Sequence, residues 1–201
     1  MKLVLDVDNT LYRTMEYLKI HQLLSAPMRE IPYWSFYKVD DVQLQRDIFL
    51  FKSIPLRVLN KNNHVLDFWF KYARFFEKII ILTGRHLTNE EKNLIKNDLQ
   101  IENDKIKYID DVDFTGKLGV LDELTDYIVF DDYTGIESFI RDLHESHNAF
   151  YVHPDIDLIA PYTREVFLCL FEFEHMWFNY FLYPREFRID VKQKLMEILK
   201  M

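Results

Sequence analysis

Several side chains that can bind a cation or a phosphate group follow directly on short apolar segments of this 201-residue sequence. Two carboxylates end the first segment, a hydroxyl, a glycine and a guanidinium end the second, and two carboxylates end the fourth: Asp6, Asp8, Thr83, Gly84, Arg85, Asp131 and Asp132. Crowded carboxylates require a cation, and hard oxygen ligands with few His or Cys residues favour Mg²⁺, which keeps several waters and binds phosphate. These segment ends therefore predict Mg²⁺ as the cofactor and chemistry on a phosphate group.

The apolar segments themselves have the length and composition of buried strands. They are rich in Val, Ile, Phe and Tyr and cover residues 3–7, 79–82, 106–109, 127–130 and 149–152. Continuous apolarity favours parallel strands covered on both faces, and the intervening segments have a helical period. We therefore expect an α/β fold, a doubly wound parallel sheet of Rossmann-like type, whose active site lies at the carboxyl ends of the strands.

The connection between the first two predicted strands is too long for a single crossover helix. It holds about seventy residues, more than twice what a βα unit needs. Residues 65–76 have the apolar face of the crossover helix, which includes Phe70, while residues 14–25 and 40–52 are predicted helices of an insertion. The predicted division of the chain is an α/β core (residues 1–11 and 63–154), a small α-helical cap inserted after the first strand (12–62) and a helical C-terminal extension (155–201).

The C-terminal extension contains two predicted helices, broken near Pro184. Between Phe167 and Leu182 apolar residues leave only a narrow polar stripe, so this helix must be buried. In the favoured arrangement it packs across the sheet as an extra layer, and in the alternative it forms a homo-oligomer interface. Cys169 and His175 are interpreted as core and stripe residues rather than as ligands.

The overall charge narrows the range of partners. The formal net charge is −8, and polynucleotides are bound mainly through clustered Lys and Arg, so a long nucleic acid is not an expected partner. The most apolar stretch, residues 166–184, is interrupted by charged side chains, and Asp6 stops any signal-peptide core near the first residue. We expect no membrane association and a cytoplasmic location.

In chain order the motifs Asp-Val-Asp-Asn-Thr, Thr-Gly-Arg and Asp-Asp, with a Lys between the last two, resemble those of phosphatases of the haloacid dehalogenase (HAD) superfamily. The resemblance covers about residues 2–153. It implies that Asp6 is a nucleophile that forms an aspartyl-phosphate, and that Asp8 protonates the leaving oxygen and then activates water. It also implies that Mg²⁺ is held by the Asp6 carboxylate, the Asp8 main-chain carbonyl and Asp131.

The other motif residues are implied to bind the substrate phosphate. Thr83, the Gly84 amide and Lys117 would hold the phosphoryl oxygens in the transition state. Arg85 follows directly and either contacts the substrate or faces solvent. Asp132 is either a ligand to the cation through water or the residue of an Asx turn at the start of the next segment.

Three lysines between the second and fourth predicted strands compete for the phosphate-binding role. Lys105 and Lys107 flank the start of the third strand, at the amino-terminal edge of the sheet, whereas Lys117 begins a helix beyond the carboxyl end of that strand. Because the strand ends form the crevice, we expect Lys117 to reach Asp6, Asp131 and a phosphoryl oxygen.

These expectations favour a Mg²⁺-dependent phosphomonoesterase acting on a small phosphorylated metabolite. With an Asp at position 8, the resemblance implies a phosphatase or a phosphomutase as the reaction class. A nucleotide is the preferred substrate, because the first motif resembles that of pyrimidine nucleotidases. The second motif instead resembles that of polynucleotide 3′-phosphatases, so a nucleic-acid 3′-phosphatase is the alternative enzyme. A non-catalytic binding or assembly protein on a phosphatase scaffold is the alternative from another class. An aromatic cluster at residues 33–37 either stacks on a nucleobase or packs the cap.

Overall fold

The structure is a computed structural model that describes residues 1–23, 50–152 and Pro154. The aromatic cluster at residues 33–37, nearly all of the helix predicted over 40–52, and the C-terminal extension lie outside the described residues. The predictions made for those segments, including the homo-oligomer interface, therefore stay predictions.

The five predicted strands form one parallel sheet. They are β1 (Lys2–Leu5), β2 (Lys78–Leu82), β3 (Ile106–Ile109), β4 (Tyr127–Phe130) and β5 (Ala149–Val152). Their order across the sheet is β3-β2-β1-β4-β5, and every neighbouring pair is parallel. The order reverses its direction at β1, so the predicted doubly wound α/β fold is confirmed.

Helices connect these strands. They are α1 (Thr14–Ile20), α2 (Asn63–Tyr72), α3 (Asn89–Leu99), α4 (Phe114–Asp122) and α5 (Thr134–His147), with short 3₁₀ turns at Leu56–Val58, Ala73–Phe75 and Asn103–Lys105. The helix predicted over residues 14–25 ends at Ile20, and Gln22 just beyond it has a left-handed φ of 52°. Among the helices that the structure describes, none has the length and apolar character needed to cross a bilayer.

The crossover helix α2 differs from its prediction in the face it buries. It begins two residues before residue 65 and passes into a 3₁₀ turn after Tyr72. Val65, Phe68 and Trp69 are buried, whereas Phe70 is 47% exposed. A residue directly after Trp69 is turned by about 100° around a helix of 3.6 residues per turn, which carries Phe70 away from the buried stripe.

Both faces of the sheet are covered by apolar side chains. Alternate residues of β1 enter opposite clusters: Leu3 and Leu5 pack in the cluster that contains residues of α2 and α3, and Val4 packs in the one that contains residues of α4 and α5. This two-sided burial explains the continuous apolar pattern of the strands. The described ends of the insertion join the first cluster through Met15 and Leu56, so they pack on the α/β core.

The strand register brings the carboxyl ends of β1, β2 and β4 to the same level. Leu5 pairs with Ile81 on one side and with Phe130 on the other. The Asp6 N–H then donates to the Phe130 carbonyl oxygen at 3.0 Å, so the aspartate that follows β1 lies beside Asp131, which follows β4. The parallel register therefore places these two carboxylates side by side at the carboxyl ends of β1 and β4, where the strand order reverses.

Candidate active site

Lys117 lies between two buried carboxylates at the carboxyl end of the sheet. Its Nζ is 2.9 Å from Asp6 Oδ1 and 2.8 Å from Asp131 Oδ2. Asp113 fixes the start of α4 because its side chain accepts a 2.7 Å hydrogen bond from the Gly116 N–H, which leaves Lys117 in the first turn. The structure thus brings together the three side chains that the sequence predicted to pair.

The two competing lysines lie elsewhere. Lys105 ends the 3₁₀ turn that precedes β3, and Lys107 is the second residue of that strand. Both are therefore near the amino-terminal edge of the sheet, away from the carboxylates. Binding of a phosphate by Lys117 stays a prediction, but its position satisfies the geometry that the prediction requires.

Burial and crowding change the proton affinities of the acidic cluster. Burial, together with the charges of Asp131 and Asp8, raises the pKa of Asp6 to about 7, although Lys117 acts in the opposite direction. Burial, and then Asp131 and Asp6, raise the pKa of Asp132 well above its ordinary value. Burial disfavours the charged form of Lys117, but Asp131 and Asp6 outweigh it, so the pKa of Lys117 is raised. Simultaneous ionisation of Asp6, Asp131 and Asp132 is therefore unfavourable while one lysine is their only cationic contact among the described residues.

Three of these carboxylates form a candidate cation site. Asp6, Asp131 and Asp132 each offer an oxygen, and the three oxygens lie within 4.8 Å of one another. Asp6 Oδ1 is buried, and among the described residues its close contact is the Lys117 ammonium. Three ionised carboxylates and one ammonium leave two negative charges, which a divalent cation would balance. The donor set fits a hard cation such as Mg²⁺, which prefers carboxylate oxygens.

The adjacent aspartates of this cluster have different hydrogen-bond partners. Asp132 Oδ2 accepts a 2.9 Å hydrogen bond from Asn9 Nδ2, and Asn9 is in the left-handed region with a φ of 57°. Asp131 Oδ1 accepts a 2.9 Å bond from the Tyr133 N–H, which is the bond of an Asx turn. An Asx turn is therefore made by Asp131, while the turn considered for Asp132 stays a prediction. Asn9, which the sequence analysis did not single out, positions Asp132.

Arg85 binds both oxygens of Asp8. Its Nε donates to Oδ2 at 3.1 Å and its Nη2 to Oδ1 at 2.6 Å, while Thr14 Oγ1 donates to Oδ1 at 2.6 Å. The guanidinium also donates to the main-chain oxygens of Phe51 and Ile54, at 2.9 and 2.5 Å. Arg85 is 2% exposed, so it does not face solvent, and its contact with a substrate stays a prediction.

The loop after β2 is tied to the end of β3. The Thr83 N–H donates to the Ile109 carbonyl oxygen at 3.1 Å, and the Val112 N–H donates to the Thr83 carbonyl oxygen at 3.3 Å. A Cβ on Gly84 would lie 3.2 Å from the Val112 carbonyl oxygen and 3.3 Å from Lys52 Nζ, so a glycine permits this close approach. No sequence signal pointed to Lys52, because its place depends on the path by which the insertion returns. Phosphate binding by Thr83 and Gly84 stays a prediction.

Comparisons with known proteins give the following. No family model matches the sequence, and no curated protein matches it. Among solved structures, the chain is similar to the HAD domain of the effector protein Lem4 from Legionella pneumophila, with 14% sequence identity, a TM-score of 0.41, and coverage of 82% of this chain and 92% of that chain. The residues of the site itself are therefore the basis on which a function can be assigned to this chain.

Asp6→Asn removes one charge from the acidic cluster and keeps the shape of the side chain. In the metal-free protein, a carboxyl group whose pKa is raised from 3.8 to about 7 destabilises the fold above the ordinary carboxyl pKa, and the effect grows as the pH rises to about 7. We expect the metal-free variant to unfold at a higher temperature than the wild type at about pH 8, with a smaller difference near about pH 4.5. Differential scanning calorimetry in EDTA at the two pH values measures both differences in unfolding temperature.

Asp67→Asn is the matched control, because Asp67 is exposed on α2 and should leave the unfolding temperature nearly unchanged. Added Mg²⁺ should stabilise the wild type more than Asp6→Asn, since a ligand that binds the folded state raises its stability. A metal-free Asp6→Asn variant that is less stable than the wild type at about pH 8 would show that the ion pair with Lys117 outweighs the crowding.

Arg85→Met leaves the buried Asp8 carboxylate without its guanidinium. Removal of one partner from a buried ion pair lowers the free energy of unfolding by about 3 to 5 kcal/mol. In an Asp8→Asn background the same substitution should lower it by much less, because the unpaired charge is gone. Urea unfolding of the wild type, both single variants and the double variant measures this coupling.

Arg57→Met is the control for loss of an arginine, since Arg57 forms an exposed pair with Glu90 at 3.5 Å. Its effect should stay within about 0.5 kcal/mol. Equal losses from Arg85→Met in the two backgrounds would mean that Asp8 is not the partner through which Arg85 stabilises the fold. The other contacts of the guanidinium, the Phe51 and Ile54 carbonyl oxygens and Glu91 Oε1 at 3.9 Å, would then account for the loss.

Proposed function

We propose that this protein is a Mg²⁺-dependent phosphomonoesterase of the HAD type, which hydrolyses a small phosphorylated metabolite through an aspartyl-phosphate on Asp6. One arrangement carries the proposal: Asp6, Asp131 and Asp132 lie together at the carboxyl end of a parallel sheet, and Lys117 Nζ is 2.9 Å from Asp6. This set supplies a nucleophile, a cation site and a fixed positive charge for phosphate oxygens. A nucleotide is the proposed substrate, from the resemblance of the first motif to that of pyrimidine nucleotidases.

Asp6 and Asp8 divide the work of the proposed reaction. A carboxylate oxygen of Asp6 attacks phosphorus, and the bond between phosphorus and the leaving oxygen breaks as Asp8 gives that oxygen a proton. In the second half, Asp8 takes a proton from a water molecule whose oxygen attacks phosphorus, and the bond to Asp6 breaks to release phosphate. Bound Mg²⁺ would reduce the repulsion between the Asp6 carboxylate and the phosphate.

Arg85 and Thr14 are positioning residues for Asp8. Together they donate three hydrogen bonds to its carboxylate. A carboxyl group has about four lone-pair positions, so one, on Oδ2, is left. In the proposed reaction it carries the proton for the leaving oxygen in the first half and takes the proton of the water in the second. Because proton transfer requires hydrogen-bond reach, a fixed Asp8 is better placed to act than a freely rotating one.

Lys117 has two successive partners in this proposal. Without substrate it stabilises Asp6 and Asp131, which it contacts at 2.9 and 2.8 Å. With substrate it faces the phosphoryl oxygens, whose charge shifts as the bond to the leaving oxygen breaks. Its place in the first turn of α4 keeps the ammonium beside Asp6 before substrate binds, so it is within reach of a phosphoryl group that approaches this carboxylate.

Phosphate release from a panel of monoesters tests the proposal. The panel contains nucleoside 5′-monophosphates, sugar phosphates, 4-nitrophenyl phosphate and a 3′-phosphorylated oligonucleotide, each with Mg²⁺ and with EDTA. We expect release only with Mg²⁺, and faster from mononucleotides than from the oligonucleotide, because a net charge of −8 opposes binding of a polyanion.

Variants of the site provide the controls for this assay. Asp6→Asn should reduce release to background, and Lys117→Ala should lower turnover by a factor on the order of 10² or more. Lys107→Ala, near the amino-terminal end of β3, should leave the turnover near that of the wild type. Faster release from the oligonucleotide would favour the nucleic-acid 3′-phosphatase. The absence of Mg²⁺-dependent release from every ester would contradict the proposal and favour the binding-protein alternative.

A further inference from the structure

A cavity of about 620 Å³ lies beside the proposed active site, between the segment that returns from the insertion and the first turns of α3. Its lining combines cationic, acidic, amide and apolar side chains, among them Lys52, Arg57, His86, Glu90, Asn93 and Leu94. The aspartates of the cation site do not line it. The cavity therefore adjoins the carboxylates without containing them, and its size suits the organic part of a small ester.

Two residues connect this cavity with the proposed active site. Arg85 lines the cavity and binds Asp8. Lys52 lines it too, and its Nζ lies 3.3 Å from the position that a Cβ on Gly84 would occupy. Because Gly84 is a predicted phosphate-binding residue, the Lys52 ammonium is located where the cavity meets the proposed phosphate site.

Lys52 differs from the other cationic residues of the cavity in its partners. Arg57, Arg85 and His86 each lie within 4.0 Å of a carboxylate oxygen. Within the described part of the chain, the Lys52 side chain has neither a hydrogen bond nor an ion pair. Its charge is therefore available to an anionic ligand.

The main chain on both sides of Lys52 is fixed to the core. The carbonyl oxygens of Phe51 and Ile54 accept hydrogen bonds from Arg85 at 2.9 and 2.5 Å, and the side chains of both residues are buried in the first hydrophobic cluster. Lys52 thus extends from an anchored base, and its Nζ lies beside Gly84. This anchoring distinguishes it from a lysine on a freely moving loop.

We infer that Lys52 binds a second anionic group of the substrate, a carboxylate or a further phosphate carried by the leaving group that occupies this cavity; the inference rests on the proposed phosphomonoesterase function. The substrate class is then a phosphate monoester whose leaving alcohol has a negative charge of its own. Lys52 is a specificity residue in this scheme. The contact forms on binding and persists through the reaction, so its loss raises KM and leaves kcat nearly unchanged.

Hydrolysis of two matched pairs of esters tests this inference and separates the two sources of the anion. Glycerol 3-phosphate and 3-phosphoglycerate differ by a carboxylate, while adenosine 5′-monophosphate and adenosine 3′,5′-bisphosphate differ by a phosphate. We expect Lys52→Met to raise KM for the additionally charged member of at least one pair by about tenfold or more. For the partner ester, KM should change by less than about twofold.

Three controls accompany Lys52→Met. Lys107→Met removes an exposed lysine near the amino-terminal end of β3, away from the proposed site, and should change neither KM nor kcat. Lys52→Arg keeps the charge and should retain most of the preference. For the wild type, KM of the additionally charged ester should rise with ionic strength, because contacts of exposed charges are screened by salt.

The remaining outcomes overturn the inference. An equal fall of kcat on all four esters would place Lys52 on the transferred phosphoryl group, and unchanged kinetics on all four would remove it from the substrate site. A wild-type enzyme that hydrolyses panel esters but has no preference for the charged members overturns the inference and leaves the proposed function standing. If the wild-type protein hydrolyses no ester, the proposed function is contradicted, and the inference that rests on it is contradicted as well.

Discussion

Repulsion among buried carboxylates is the constraint around which the rest of the site is arranged. The parallel register places Asp6 beside Asp131, and the next residue adds a third carboxylate within 4.8 Å. In an interior of low dielectric such charges interact strongly, and burial raises the pKa of Asp6 to about 7. Lys117 relieves the repulsion in part, and Asn9 holds Asp132 by a hydrogen bond. A cluster that stays unbalanced after these contacts is typical of a site made for a cation and an anionic substrate.

Arg85 connects Asp8, next to this cluster, with the described end of the insertion. One guanidinium binds the carboxylate of Asp8 and the main-chain oxygens of Phe51 and Ile54. The returning segment is therefore held at a fixed distance from the proposed acid and base, and the cavity beside Lys52 has one fixed wall. A lysine at position 85 could not replace this contact, because only the planar guanidinium reaches both carboxylate oxygens and the two carbonyl oxygens at once.

The strands and the carboxylates at their ends could be predicted because both depend on local sequence. Four or five continuous apolar residues followed by Asp indicate a buried parallel strand that ends at a polar crevice. The partner of Arg85 could not be predicted, since it depends on contacts across 77 positions of the chain. The same holds for Lys52, whose place beside Gly84 is set by the path of the insertion. The bond that Asp131 accepts from the Tyr133 N–H was not predicted either, because either of two adjacent aspartates can make an Asx turn and the sequence does not show which one does.

The central claim is that the acidic cluster binds a divalent cation and that Asp6 accepts the phosphoryl group. A crystal structure of the wild-type protein with Mg²⁺ and trifluoroberyllate, which mimics a phosphoryl group on a carboxylate, tests both parts at once. The account predicts a cation coordinated by oxygens of Asp6 and Asp131, the fluoroberyllate on the other Asp6 oxygen, and Lys117 in contact with its fluorine atoms. A cation bound away from these carboxylates, or fluoroberyllate attached to another residue, would contradict it.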